Sequence, residues 1–289
     1  MTSPPRSDSP ITLATLICER DAAMAAITLP RLQANCRDAG SFTIFEDGSL
    51  TERSAGLLLE KLQNARLVRR KELDETVAGT LAQRPNSRAY WKDHPLALKL
   101  LGIPVALKFD FFYFDSDILI IKPVSLRPLY VKSETAFVFM QDIADGYSGR
   151  SIDLKFRHGL RPLSCLNAGI MAVPASGHDP DFIEWFLGVP HFRNFPFLLE
   201  QTCWSVMPRG RPVEYIDPRL IWCADGQREA DADTAGIHYI QHTKSRIGAD
   251  AGKFEDRPDR VPVVLTSVVA PELGLWRMAR NFTRRLVQR

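Results

Sequence analysis

Residues 11–18 read Ile-Thr-Leu-Ala-Thr-Leu-Ile-Cys, a short run without helical period. That is the pattern of a strand covered on both faces in a parallel sheet. The run breaks at Glu19-Arg20-Asp21 into a helical segment reaching Asn35, alanine-rich at its start, where Pro30 predicts a kink. Residues 41–45 make a second strand, closed by the Asp47-Gly48 turn. Thr51 then opens a helix through Leu62, residues 65–68 form a third strand, and residues 71–83 another helix. Alternating strands and helices predict an α/β sheet with helices on its faces. In such sheets ligands bind beyond the carboxyl ends of the strands, where Glu19, Asp21, Glu46 and Asp47 would gather.

The pattern continues with an amphipathic helix over 94–102, carrying Lys99. Next comes Phe111-Phe-Tyr-Phe-Asp115-Ser-Asp117-Ile-Leu-Ile-Ile121, a buried strand ending at an acidic turn. Burying two like charges side by side is costly unless a cation neutralises them. Mg²⁺ and Mn²⁺ are the usual hard ions for paired carboxylates and phosphate oxygens. The competing reading of Asp115 and Asp117 is a solvated turn. Further strands are expected at 136–140, 166–174, 212–216 and 220–223, with a polar loop over 142–159. Helices are expected at 181–187 and 197–207, the second carrying Glu200 and Gln201. The segment 236–244 holds His238, His242 and Lys244, and a polar stretch runs on through Asp259. Beyond it Leu275, Met278, Ala279, Phe282 and Leu286 recur at helical spacing among five arginines. Such a basic amphipathic helix suits packing on the sheet or docking on an anionic membrane surface.

Bulk composition narrows the classes. The 289 residues are 45% hydrophobic and 25% charged, ordinary for a globular chain, and a net charge of +3 is too small to argue for nucleic acid. Five cysteines, scattered and never spaced as Cys-x-x-Cys, fit a reducing cytoplasm and argue against structural zinc. No apolar run is long enough to span a bilayer. Residues 1–10 are expected to be a disordered leader, 11–265 the folded domain and 266–289 the C-terminal basic helix.

Four motifs in order carry a resemblance: Asp115-Ser-Asp117 at a strand end, Leu166-Asn167-Ala168-Gly169, Glu200-Gln201, and His238 six residues before Lys244. Together they resemble the GT-A fold nucleotide-sugar glycosyltransferases, in particular the glycogenin and lipopolysaccharide galactosyltransferase group, over about residues 11–247. The resemblance implies a single GT-A (Rossmann-like) domain with a mixed central sheet. It implies metal ligation by Asp115, Asp117 and His238, with nitrogen ligation favouring Mn²⁺ over Mg²⁺. It assigns Lys244 and Lys99 to the diphosphate, Asn167, Ala168 and Gly169 to the donor sugar, and Asp47 to the neighbourhood of base and ribose. Gln201 would lie beneath the anomeric carbon and Glu200 against the transferred sugar. The chain departs from the group at Glu200, where an aspartate is usual, at Thr202, usually acidic, and at the residues flanking His238 and Lys244. Outside the resemblance, Asp47 reads as a turn aspartate and Lys99 as an exposed helix lysine.

The leading expectation is a metal-dependent, retaining hexosyltransferase. It would act from a UDP- or GDP-sugar on a glycan, lipid-linked or protein acceptor, in the cytoplasm or at the inner face of the membrane. The alternative is a catalytically silent nucleotide-sugar-fold protein that binds or scaffolds. A nucleotidyltransferase fits less well, because no glycine follows the first strand. The leading reading makes a geometric demand: the His238 ring nitrogen within about 5 Å of both aspartates even without metal.

Overall fold

The computed structural model describes residues 9–109, 111–148, 151–190, 192, 196–254 and 261–278. Its strands are β1 (Ile11–Ile17), β2 (Ala39–Glu46), β3 (Ala65–Val68), β4 (Phe112–Phe114), β5 (Ile118–Ile120), β6 (Val124–Ser125), β7 (Phe137–Gln141), β8 (Leu166–Ala172), β9 (Val213–Ile216), β10 (Ile221–Cys223), β11 (Gly236–His238), β12 (Val263–Val264) and β13 (Ser267–Val269). Eight of them form one mixed sheet in the order β13-β9-β7-β8-β4-β1-β2-β3. β10, β11 and β5 make a small second sheet, and β12 pairs with β6.

The parallel half, β4-β1-β2-β3, follows from its connections. β1, β2 and β3 are joined by helices Ala22–Asn35 and Glu52–Lys61, and β3 reaches β4 through the helices between Arg70 and Ala106; such helical crossovers force parallel pairing. Alternating side chains feed two cores. Ala14, Tyr113, Phe139 and Trp204 belong to one face, and Leu13, Phe112, Phe114 and Ile170 to the other. Helix Glu52–Lys61 starts as expected, with Thr51 accepting from the Ser54 N–H at 3.2 Å. Helix Ala22–Asn35 runs through Pro30 without a break. Proline has no N–H for the carbonyl of Ala26, which accepts instead from Lys61 Nζ at 3.3 Å.

Several expectations need correction. The 94–102 segment is not amphipathic: Leu98–Gly102 is a turn of π-helix, buried all round, followed by helix Ile103–Ala106. Lys99 marked a polar face in the sequence, yet it is buried, its charge paired with the half-buried Asp115. Helix Pro85–Asp93 had no counterpart in the reading, and the expected 142–159 loop contains helix Ser151–His158. The polar stretch after Lys244 holds helix Ile247–Lys253, whose buried residues are few and whose exposed face hid it. The run 111–121 is two strands in two sheets. After Asp117 the chain leaves the main sheet, and β5 pairs antiparallel with β11. Beyond residue 265, β13 pairs with β9 in the main sheet. Residues 1–8 of the expected leader and 279–289 of the expected C-terminal helix lie outside the described residues. Among the described residues no helix is long and apolar enough to cross a membrane.

Candidate metal and donor site

β4 is the pivot of the site. It lies between β1 and the antiparallel β8 and delivers Asp115 to the carboxyl edge of the sheet. The turn that follows is held from below. The Asp115 N–H donates to the Gly169 carbonyl at 2.6 Å, and the Thr28 hydroxyl donates to the Ser116 carbonyl at 2.5 Å. β11 then lies against β5 so that His238 pairs with Ile118, one residue past Asp117. The Tyr239 N–H donates to the Asp117 carbonyl at 2.9 Å. Residues more than a hundred positions apart in sequence are thereby fixed against one another by backbone alone.

One oxygen each of Asp115 and Asp117 and one ring nitrogen of His238 lie within 4.8 Å of one another. That meets the geometric demand stated from the sequence. His238 Nε2 is 3.0 Å from Asp117 Oδ1, and Lys244 Nζ is 2.8 Å from Asp117 Oδ2. Lys99 Nζ reaches both oxygens of Asp115, at 3.0 and 3.2 Å, and the Tyr113 hydroxyl donates to Oδ1 at 2.7 Å. Lys99 also lies 4.7 Å from the centre of the Tyr113 ring. With 3% of its surface exposed, Lys99 is not the solvated helix lysine of the bland reading.

The electrostatics follow from burial working against pairing. Burial alone would raise the Asp117 carboxyl, but His238 and Lys244 outweigh it and hold it well below the carboxylate range. Burial alone would lower His238, yet the Asp117 carboxylate keeps it well above the ordinary imidazole value. Lys99 is held above the usual lysine value by Asp115 and then Glu200, against its own burial. For Glu200 burial wins: the carboxyl is pushed up to about 7, Lys99 opposing the shift and Asp115 adding to it.

Whether the cluster suits a cation can be judged from its own atoms. Asp117 Oδ1 is buried and makes no hydrogen bond of acceptable geometry, although His238 Nε2 is close. Two carboxylate oxygens and one imidazole nitrogen facing a common point suit Mn²⁺ better than Mg²⁺. The donor set fits a divalent ion.

The remaining candidates divide. Asn167 is buried and its amide is in use: Nδ2 donates to Asp142 at 2.9 Å and Oδ1 accepts the Gly169 N–H at 2.7 Å. Its pairing partner on β7 marks a register shift, so the side chain braces a bulge in β8. Gly169 faces His238, while Ala168 packs into the larger core on the other face. Glu200 and Gln201 sit on helix Pro196–Val206. Glu200 is buried, with Oε1 lacking a partner, and Gln201 Nε2 donates to the Gly146 carbonyl at 3.0 Å. Asp47 accepts from Ser49 within its own turn and shares one cleft with Cys18, Asp21, Asp115, Asp117 and Lys244. Glu19 is turned aside to brace the Thr51 cap, accepting from the Thr51 N–H at 2.9 Å and the Ser54 hydroxyl at 2.8 Å.

Two neighbours escaped the sequence reading. Tyr113 carried a usable signal, since in a strand residues two apart share a face. Cys223, whose sulfur is 3.7 Å from His238 Nδ1, carried none, because its position depends on the pairing of β10 with β11.

No protein-family model matches the chain, and no curated protein sequence matches it. Solved structures do match in fold. Against galactosyltransferase LgtC in complex with donor and acceptor sugar analogues the TM-score is 0.54, at 15% identity, over 86% of this chain and 98% of that one. An active-site mutant of LgtC gives 0.50 at 16% identity over the same shares. The bifunctional glycosyltransferase WbbM, in its apo structure, gives 0.54 at 13% identity, over 81% of this chain and 46% of the other. The fold is that of the GT-A glycosyltransferases.

Proposed function

We propose that the chain is a metal-dependent glycosyltransferase that moves a sugar from a UDP- or GDP-sugar to a glycan, lipid-linked or protein acceptor, with retention at the anomeric carbon. The observation that carries this reading is the convergence of Asp115, Asp117 and His238 within 4.8 Å, flanked by Lys99 and Lys244, at the carboxyl edge of a GT-A sheet. Asp115, Asp117 and His238 would hold a divalent ion, Mn²⁺ in preference to Mg²⁺, which when bound offsets the charge that develops on a departing diphosphate.

The chain's own side chains do the rest. Lys244, on the short turn Gln241–Arg246 and about a third exposed, presents its ammonium to the phosphates. Lys99 holds Asp115 in place from beneath. The cleft lined by Cys18, Asp21 and Asp47 receives base and ribose. Gln201 lies beneath the transferred sugar and Glu200 supports it, while Gly169 lets the donor and His238 come close to backbone. Sugar choice rests on a few contacts in this cleft.

The C-terminal basic helix, which starts after β13 at Leu275, would bring the enzyme to an anionic membrane surface from the cytoplasmic side. What supports this is the exposure of Leu275 and Trp276 at its start.

The test is incubation with a panel of UDP- and GDP-sugars, with and without Mn²⁺, following released nucleotide. Thermal stability with each nucleotide is measured in parallel. A stability shift that needs both nucleotide and metal, with turnover of one donor, establishes the reading. Binding without turnover of any donor favours the silent alternative. Retention is read from the anomeric configuration of the product.

A further inference from the structure

After β7 the chain runs along helix Pro196–Val206, and main-chain groups tie it at both ends. The Asp142 N–H donates to the Cys165 carbonyl at 2.7 Å, and the Ser148 N–H donates to the Thr202 hydroxyl oxygen at 2.7 Å. Between these ends the Gly146 carbonyl accepts from Gln201 Nε2 at 3.0 Å. The shape of residues 142–148 therefore decides where the Gln201 amide points.

The middle of this loop hangs on one side chain. The Asp145 carboxylate is 3% exposed. Its Oδ1 accepts the Cys165 N–H at 2.7 Å and the Ser164 hydroxyl at 3.3 Å. Cys165 is in the left-handed region, φ 53°, a conformation that a residue with a side chain keeps only when its surroundings hold it. A counter-charge comes from beyond the last strand. Arg277 Nε lies 3.3 Å from Asp145 Oδ2, and its two other nitrogens donate to the Ser164 hydroxyl and, at 3.1 Å, to the Cys165 sulfur. One guanidinium fork thus spans the loop and the entry to β8.

The segment that carries Arg277 is seated in turn. The Ser164 N–H donates to the Pro271 carbonyl and the Leu273 N–H to the Pro162 carbonyl, both at 2.8 Å. Leu273 and Met278 are buried against Tyr147 of the loop. A buried carboxylate that loses its cation either takes up a proton or turns out to water. Turning out would carry Gly146, the next residue, away from Gln201.

We propose that Arg277 is a positioning residue for the transfer reaction: its fork holds Asp145 against Ser164 and Cys165, and so holds Gly146 where it fixes the Gln201 amide. The inference rests on the glycosyltransferase reading above, in which Gln201 lies beneath the transferred sugar. Asp115, Asp117 and His238 are placed by β4, β5 and β11, so the metal cluster should be indifferent to Arg277.

The experiment follows the side-chain amide signals of Gln201 in the nitrogen-15-labelled full chain, assigned by their loss in Gln201→Ala. Arg277→Gln, which removes the charge at similar length, should move them. Combining it with Asp145→Asn, which removes the uncompensated charge, should bring them back toward the parent position. In parallel, Arg277→Gln should lower kcat at least about tenfold while the donor's KM and Mn²⁺ affinity stay within about twofold, and the double variant should recover part of the loss. Unmoved Gln201 signals in Arg277→Gln overturn the proposal. A double variant no better than Arg277→Gln also overturns it, because the arginine would then act other than through Asp145. So does a rise in KM or a loss of Mn²⁺ affinity matching the fall in kcat, which would mean a general loosening. Should Arg277→Gln fail to fold, Arg277→Lys, which keeps a charge but not the fork, should displace the same signals by less, and parent-like signals there overturn the proposal. If the parent turns over no donor sugar, the glycosyltransferase reading falls, and the Gln201 signals still decide whether Arg277 positions that side chain.

Discussion

Gly169 and His238 touch so closely that a β-carbon on residue 169 would lie 2.5 Å from the imidazole Cε1 and 2.8 Å from Nδ1. The Asn167 Oδ1 atom would be equally close, at 2.8 Å. A glycine is required here for space rather than for backbone angles: the strand runs hard against the ring that completes the metal cluster. Gly169→Ala should therefore displace His238, with a stability loss of about 1–3 kcal/mol from overpacking. Mn²⁺ affinity should fall at least about tenfold in the folded variant, measured by calorimetry. Mn²⁺ affinity equal to the parent's would show that the ring has room to move and that its position is not critical.

Lys99 offers a test that needs no substrate. Its ammonium is nearly inaccessible and is paired with Asp115. Lys99→Met keeps most of the side-chain volume but leaves the Asp115 carboxylate, 28% exposed, without its counter-charge, and should lower the melting temperature. If Asp115 is a metal ligand, saturating Mn²⁺ should restore a larger increment of melting temperature in this variant than in the parent. Equal increments would separate Asp115 from the ion.

Glu200 should give stability an unusual pH dependence. Burial raises its folded pKa to about 7, above the unfolded value near 4.3, so the folded state holds the proton more tightly. Its contribution is then favourable at low pH and is lost as pH rises from about 4.3 to about 7. Glu200→Gln removes the proton's role at nearly constant volume. The variant's stability relative to the parent should grow across that window, by up to about 4 kcal/mol, and level off above it. Denaturant unfolding at a series of pH values checks this. A flat difference would mean that Glu200 stays ionised against Lys99.

Gln201 lies one residue on, a hundred degrees around the same helix, and faces the Gly146 carbonyl rather than Lys99. Gln201→Ala should lower kcat about a hundredfold with little change in the donor's KM, because the residue is assigned to the reacting carbon and not to the nucleotide. A raised KM with kcat intact would reassign it to ordinary donor binding.

How legible this was in the sequence depended on whether a residue's environment came from neighbours in sequence or in space. β1 announced itself because a strand covered on both faces is largely apolar, and Thr51 announced the helix it caps. Asp115 and Asp117 were legible as a pair because an apolar strand leads into them and another leads away. Lys99 misled, since a lysine among leucines marks a polar face unless a distant carboxylate waits for it. Asn167 was placed near the site, but its engagement by Asp142 and Gly169 was invisible, because it follows from a bulge in β8. Helix Ile247–Lys253 was hidden by Gly248 and Gly252, poor helix formers on its exposed side.

His238 and Lys244 contact the same carboxylate from two directions, and that shared partner makes their roles separable. His238 Nε2 lies 3.0 Å from Asp117 Oδ1, the buried oxygen without a good hydrogen bond, while Lys244 Nζ lies 2.8 Å from Oδ2. The imidazole is on the side where the three ligand atoms converge. The ammonium is on the outer side, on a turn a third open to solvent. On the proposed metal reading His238→Ala removes a ligand, so raising Mn²⁺ concentration should recover part of the lost activity by mass action. Lys244→Ala leaves all three ligands in place and removes a charge that matters most as the diphosphate departs. Extra Mn²⁺ should then recover little, and kcat should fall by at least about a hundredfold. Activity measured across a Mn²⁺ series in both variants decides the matter. Rescue of Lys244→Ala by metal, to the same degree as His238→Ala, would mean that the lysine serves only to hold Asp117, and that phosphate contact belongs to another residue.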